Sequence, residues 1–517
     1  MNGTGGEQGV DTIIIGSGFG GAGVAHELVA AGQRVLMLER GDRVARGPHN
    51  WHAGNAGMLT PHYSHESSIR TDTDRGISEQ GGYYMVGGPS VFYGGVSLRF
   101  READFQPPAD LVADSGGDWP IRYADLEPWY SRAEQLLGVA GSTGEDPTEP
   151  PRGQPFPQAP APLAQVSVRI AAAARSLGLH PFHLPLAINH VNGSRQACVA
   201  CTTCDGFACA ISAKSDLATT VLPNLEAQGM ILLPNVVVTR LVCEGTRITA
   251  VEGVNRESGE RHSWTARQVV LSAGALASPH LLLASGLEAW NPAGDRVGRY
   301  LQRHRNAIMF GLFPTRPDPV GEFHKQLGIH DYYFGAPNGQ GPSGKLGSLQ
   351  QLVTPPVELV RANVPRPIGR VAGPLVSRLT GLLAMAEDQP QYHNRVVLDP
   401  ARTDRFGLPG MVLHHRYSRR DLAAERVLSR LARRILRRAG GLLFYRHVID
   451  TFSHAAGTVR MGHDPALAPL DPDCRFRGID NLRVVDASFM PTSAAVNPSL
   501  TILANALRVG RHMAMAA

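Results

Sequence analysis

Residues 11–41 constrain the fold more than any other stretch. A β-branched run, Thr12-Ile13-Ile14-Ile15, feeds directly into Gly16-Ser17-Gly18-Phe19-Gly20-Gly21. Such a run reads as a strand buried on both faces, over residues 11–15. A helical pattern then continues to Ala31, with Ala22, Ala25, Leu28 and Val29 on one face, and Gly32 closes it. A second strand over 34–38 ends in Glu39-Arg40-Gly41. Together these make a β-α-β unit whose first turn carries Gly16-x-Gly18-x-x-Gly21. Gly16 permits the turn, Gly18 lets backbone approach a pyrophosphate, and Gly21 lets helix pack on strand. Glu39 follows Gly21 by 18 positions, where a carboxylate accepts hydrogen bonds from an adenosine ribose. The unit predicts a dinucleotide site on a parallel sheet. It does not distinguish FAD from NAD.

The chain is too long for one ordinary core: 517 residues, 43% hydrophobic, suggest two domains, possibly interleaved. The proline-rich stretch 105–165 reads as an excursion over the surface toward a second domain. Residues 231–242 and 268–272 are strand-like, and Ala273-Gly274-Ala275 turns tightly after the second; both look like returns to the first domain. Residues 300–447 mix strands, loops and helices without a dinucleotide motif and form the expected body of a substrate domain. Within them, 421–439 reads as a helix in which Leu431 and Ile435 alternate with Arg426, Arg430, Arg433, Arg434, Arg437 and Arg438. A basic amphipathic helix can lie on a membrane surface, but the preferred reading is a solvated outer face.

Composition narrows the classes. A net charge of +5 is mild for this size and does not argue for nucleic acid. No apolar run is long enough to span a bilayer, so no membrane insertion is expected. The first ten residues show no apolar signal region, and a cytoplasmic protein is expected. Asn2-Gly3-Thr4 and Asn192-Gly193-Ser194 match the glycosylation pattern and are read as chance. Lysine occurs only at 214, 325 and 345, so arginine carries nearly all the positive charge, as in a GC-rich bacterial genome. Cys198, Cys201, Cys204 and Cys209 lie close together, unlike a secreted disulfide scaffold. The first three have iron–sulfur spacing, but the gap to the fourth is too long and Ala210 follows it. Four thiolates could also hold zinc. The preferred reading is an apolar cysteine-lined loop, with no metal.

The last fifty-odd residues carry the chemistry. His454-Ala455-Ala456-Gly457-Thr458 comes first, then a strand over 481–485 ending in Asp486, then Asn497-Pro498 opening an apolar helix. Pro suits the first helical position, and Asn there is also what a plain helix cap would be. A helix N-terminus stabilises a nearby anion such as a reduced isoalloxazine.

The ordered set of the N-terminal fingerprint, Gly87-Gly88-Pro89-Ser90, Asn394-Arg395-Val396, the His454 motif and the final helix resembles the glucose-methanol-choline (GMC) oxidoreductases over nearly the whole chain. The resemblance implies an α/β fold in which a Rossmann-like FAD-binding domain of glutathione-reductase type interleaves with an α+β substrate domain built on an antiparallel sheet. The FAD-binding domain would comprise 1–104, 190–299 and 448–517, and the substrate domain 105–189 and 300–447. It further implies His454 as the base that takes the substrate hydroxyl proton and Asn497 as the residue that orients that hydroxyl. Cofactor contacts are implied at Gly16, Gly18, Gly21, Glu39, Arg40, Gly88, Ser90, Gly94, Val238, Ala273, Asp486, Ala487, Pro498, Ser499 and Leu500. The stretch Ser90-Val91-Phe92-Tyr93 lacks the histidine that tethers FAD in some members, so the FAD is expected to be non-covalent. The segment from Thr202 to Cys209 resembles the bacterial pyranose oxidase and glycoside 3-oxidase branch, implying a secondary sugar hydroxyl as substrate and O₂ or a quinone as acceptor. Residues 321–333, with His324, Lys325, Gln326, His330 and Asp331, could line a sugar pocket or form an exposed loop. The alternatives are a sterol or other non-sugar alcohol oxidase, an FAD-containing hydroxynitrile lyase, and an NAD-dependent dehydrogenase.

Overall fold

The computed structural model describes residues 9–354, 356–357 and 375–516. Asn2-Gly3-Thr4 lies outside them. At its centre is a parallel sheet in the order Leu482–Val484, Ala266–Leu271, Val10–Ile15, Val35–Leu38, Ile231–Leu233. Ile13, Ile14, Val270 and Leu271 are almost wholly buried, as double-faced strands require. Each such side chain contributes roughly 2 kcal/mol of burial.

The helix Phe19–Ala30 follows the first strand, and the C-terminal helix Ser499–Ala516 lies against it. A Cβ on Gly23 would sit 2.7 Å from the Ala506 Cβ, so glycine there sets how closely the two helices approach. Both ends of the chain thus build one layer of one domain.

Residues 231–242 are not one strand. Ile231–Leu233 joins the parallel sheet, whereas Val236–Glu244 starts a separate antiparallel sheet with Arg247–Asn255 and Arg261–Trp264. Pro234 offers no amide to a ladder, and Asn235, at φ +58°, turns the chain out of the first sheet.

The second domain is built on an antiparallel sheet in the order Leu443–Val448, Arg305–Leu312, Leu379–Ala386, Gly347–Leu352, Leu327–Ile329, Phe182–His183. The arginine-rich helix, Arg419–Arg438, packs on it through Leu428, Leu431, Ile435 and Leu436, while its six outward arginines are exposed. Ser418 caps it: its Oγ accepts from the Asp421 amide at 3.1 Å, and the Asp421 carboxylate accepts from the Ser418 amide at 2.8 Å. A four-stranded sheet combines Tyr63–Thr73 and Gly76–Tyr83 with Arg395–Thr403 and Pro409–His415, two strands from each side of the expected domain division.

The stretch 105–165 is more than a surface excursion. It contains the helix Tyr123–Leu137, whose Tyr123, Leu126, Tyr130, Ala133 and Leu137 are buried. Tyr130 Oη lies 2.7 Å from Thr501 Oγ1 of the C-terminal helix. Prolines flank this helix and one, Pro128, lies inside it, which obscures its apolar spacing.

Candidate active site

At the nucleotide end, backbone does the shaping. A Cβ on Gly21 would lie 2.0 Å from the Gly16 carbonyl oxygen, so only glycine lets the helix start here. The Cβ direction of Gly18 points into open space, and a Cβ on Gly88 would come 3.2 Å from the Gly18 Cα. The first glycine turn and the Gly87–Gly88 turn therefore touch at the N-terminus of Phe19–Ala30, with the Gly18 Cβ direction left open beside them. Ser272 Oγ, beside Gly20, is buried there without a hydrogen-bond partner. An open backbone cradle with an orphaned hydroxyl fits a pyrophosphate.

Glu39 is buried, and both its oxygens are engaged by protein. One accepts from the Ser17 amide (3.0 Å) and hydroxyl (2.6 Å), the other from the Gly41 amide (2.8 Å). Burial pushes its pKa up, and those hydrogen bonds oppose the shift only in part. Arg40 stacks 4.3 Å over the Tyr84 ring and pairs with Glu66 at 3.3 Å. Val238 is buried in the separate antiparallel sheet.

The turn after Ala266–Leu271 and the turn after Leu482–Val484 are joined by Asp486. Its carboxylate accepts from the Gly274 amide (3.0 Å), the Ser278 hydroxyl, and the Ser488 amide (2.9 Å) and hydroxyl. Ala273 donates to Ser278 Oγ at 3.1 Å, and Ala487 accepts from the Gly457 amide at 3.1 Å. Ser90 is spent within the protein: its hydroxyl donates to Gly87 O (2.6 Å) and accepts from the Leu217 amide (3.1 Å). Pro498 and Leu500 are buried, and Ser499 Oγ donates to Val96 O at 3.3 Å. The Pro498 carbonyl accepts the first helical bond, from Ile502, so the proline precedes the helix rather than starting it.

In the second part of the site, side chains from distant segments meet. Gln302 pairs with Ala456 through two backbone hydrogen bonds of 2.9 and 3.0 Å, which sets His304 beside His454. Their Nδ1 atoms are 3.1 Å apart, and His304 Nε2 lies 3.2 Å from the Ser493 carbonyl oxygen. Asn394, from the third motif, steadies this segment: its carbonyl accepts from the Leu301 amide at 3.0 Å and its side chain brackets the Arg416 backbone. Ser493 starts the stretch that ends in Asn497. That stretch is held by Ser348 Oγ donating to Ala495 O (2.7 Å) and by the Ala495 amide donating to Tyr333 Oη (3.2 Å). The Asn497 carboxamide oxygen accepts from Gln350 Nε2 at 2.8 Å. The oxygen a helix cap would use is thus turned to the substrate-domain sheet, and Nδ2 is left as donor.

His454 is half-buried. Burial, then the His304 ring and the Lys325 ammonium, push its pKa down to about 3, with Asp205 opposing. Its imidazole is therefore neutral at physiological pH, as a base requires. Lys325 pairs with Asp205 at 2.5 Å, and a Cβ on Gly94 would come 2.6 Å from Lys325 Nζ. The segment 321–333 is no exposed loop: it contains the strand Leu327–Ile329, buries His324, Lys325, Gln326 and His330, and reaches the glycine loop through Lys325, while His180 binds Asp331 on the exposed side.

The cysteine segment is held by Lys214, whose buried ammonium donates to the carbonyls of Tyr93 (2.7 Å), Cys204 (2.9 Å) and Phe207 (2.7 Å). All four thiols are free, and burial pushes Cys204 up to about 12. Among the described residues, no cluster of metal-ligating side chains is present. Sequence reasoning assigned no role to His304, Gln350, Asp205 or Asp388. Asp205 lies within the cysteine-spaced segment but carries no signal of its own, the other three lie in no spacing motif, and all are joined to the site only through tertiary contacts.

The GMC oxidoreductase family models match residues 71–306 and 390–506. The chain is 32% identical to 6'''-hydroxyparomomycin C oxidase of Streptomyces lividus, over 98% of this chain and 91% of that one. It is also 32% identical to paromamine 6'-oxidase of Streptomyces fradiae, with the same shares covered. It matches C-glycoside 3-oxidase of Arthrobacter globiformis at 30% over 54% of this chain and 52% of that one. Pyridoxine 4-oxidase from Mesorbium loti superposes with a TM-score of 0.67 at 21% identity, covering 97% of this chain and 99% of that one, which supports the fold. Among the described residues no helix is long and apolar enough to cross a membrane. A glycine-built cradle and a histidine site thus belong to a flavoprotein enzyme that acts on CH–OH groups: the chain is a member of the GMC oxidoreductase family.

Proposed function

We propose that this enzyme oxidises a hydroxyl of a sugar or glycoside, a secondary ring hydroxyl above all, using non-covalently held FAD. The observation that carries the reading is the half-buried His454 imidazole, hydrogen-bonded through His304 to the segment that delivers Asn497. When bound, FAD would supply the two-electron acceptor for this oxidation, with O₂ or a quinone as the final acceptor. The Gly16–Gly21 turn, Gly88 and the Asp486 turns would hold it. His454 would remove the hydroxyl proton, and the Asn497 Nδ2–H would donate to the hydroxyl oxygen and orient it. The names of the relatives support a sugar or glycoside over a sterol.

The test is anaerobic flavin bleaching across monosaccharides, C- and O-aryl glycosides, amino sugars, sterols and simple alcohols. Bleaching by sugars or glycosides is expected. Bleaching by sterols or fatty alcohols alone would end the sugar reading, and no bleaching alongside hydroxynitrile cleavage would favour the lyase.

A further inference from the structure

Which of the two ring nitrogens of His454 faces the substrate is decided by its neighbour. We infer that His304 is a positioning residue that fixes His454 as the Nδ1–H tautomer and so leaves Nε2 bare to take the substrate proton. The inference rests on the proposed base role of His454. It follows from hydrogen-bond direction between two neutral rings. The Ser493 carbonyl can only accept, so the 3.2 Å contact requires a proton on His304 Nε2. Burial keeps the His304 ring neutral, so its Nδ1 carries a lone pair. The 3.1 Å contact between the two Nδ1 atoms then requires His454 to be the donor. With its proton on Nδ1, a neutral His454 has an unprotonated Nε2.

His304 is clamped to enforce this. Its amide donates to Asp388 Oδ1 at 3.0 Å, and its carbonyl accepts from Tyr417 Oη at 2.9 Å. The other oxygen of Asp388 accepts from the Arg303 amide (2.9 Å) and His415 Nε2 (3.1 Å). His304 holds φ +62° and Ala494, next to Ser493, holds φ +54°, conformations that cost energy for residues other than glycine. Strain on both sides of one hydrogen bond is expected where the surroundings over-determine a functional geometry.

In turnover the substrate O–H bond breaks and the Nε2–H bond forms. The carbon-bound hydrogen would depart with its electron pair to the bound two-electron acceptor, and His454 would become an imidazolium whose Nδ1–H bond to His304 strengthens. The buried Asp388 carboxylate behind His304 offsets part of that charge.

The test uses holoenzyme labelled with ¹⁵N in the histidine rings, the His454 signals being assigned by their loss in His454→Asn. The expected spectrum at neutral pH is one neutral tautomer with a protonated Nδ1 and a bare Nε2. His304→Gly, which tolerates the left-handed backbone, should mix the tautomers. It should also lower kcat roughly 10- to 100-fold, as for loss of one hydrogen bond to a charged group, with KM and flavin content kept. His304→Asn, which also tolerates that backbone and offers an acceptor, should recover part of the rate. An Nε2–H tautomer in the parent enzyme, or a glycine variant that keeps both the tautomer and kcat, overturns the inference. If His454→Asn turns over normally, the base reading fails instead, and the tautomer measurement still reports on the lock.

Discussion

The two parts of the site are built by different means. The nucleotide end is made of backbone: glycines, a helix N-terminus and two strand-ending turns tied by Asp486. The reaction end is made of side chains, with His304, Gln350, Asn497 and His454 drawn from four separate segments. Damage to backbone should cost cofactor and stability, whereas damage to side chains should cost rate alone.

The largest expected effect tests the second half of that contrast. His454→Ala should lower kcat/KM by roughly 10²- to 10⁴-fold while flavin absorbance and melting temperature hold. Lost flavin in that variant would break the comparison. The next tests the first half. Gly21→Ala places a Cβ 2.0 Å from the Gly16 carbonyl oxygen. It should destabilise by about 1–3 kcal/mol and lower the flavin-to-protein ratio, read by absorbance and thermal melting. Gln350→Leu frees the Asn497 carboxamide to rotate. A loss of about 1 kcal/mol in transition-state binding, several-fold in kcat/KM, is expected with flavin retained. Ser418→Ala, remote from the site, should cost about 1 kcal/mol of stability through the lost cap and leave kcat unchanged.

The smallest expected effect is a flat pH profile. A base whose pKa is pushed down to about 3 stays unprotonated across neutral and mildly acid pH, so kcat/KM should not fall between pH 8 and about 5 on account of His454. The charged groups facing it are Lys325 and Asp205, with neutral His304 at its side. The linked stability has a definite sign. The unfolded histidine binds a proton near 6.5 and the native one only near 3, so the unfolded state holds more protons between those values. This contribution is complete above about 6.5 and is lost as pH falls from there toward 3. An acid limb in kcat/KM near pH 6.5 that vanishes on replacing His454 would contradict a neutral, desolvated imidazole.

Much of the nucleotide end was legible because its signals are local. Strand, glycine turn, helix and Glu39 lie within some thirty residues, and the structure has Val10–Ile15, Phe19–Ala30 and Val35–Leu38 where that spacing predicts them. The helix over 421–439 was legible for the same reason, its apolar face repeating every three to four residues. The strand-like reading of 231–242 failed locally, because apolar content continues across Pro234 and Asn235 while backbone direction does not. The helix Tyr123–Leu137 was hidden by its proline-rich flanks and by Pro128 within it. Asn497 shows the limit most sharply. Asn-Pro before an apolar run reads equally as cap or as site, and only Gln350, on another sheet, turns the carbonyl away from the helix.

The sequence by itself determined the β-α-β unit, the cradle glycines, the amphipathic helix and the identity of the terminal motifs, because periodicity and glycine geometry act between near neighbours. Only the tertiary structure decided that His304 meets His454, that Asp388 stands behind them, that Gln350 holds Asn497 and that Lys325 reaches Gly94. Hydrogen-bond direction, desolvation and charge at a site depend on atoms brought together through space, and no spacing along the chain records them.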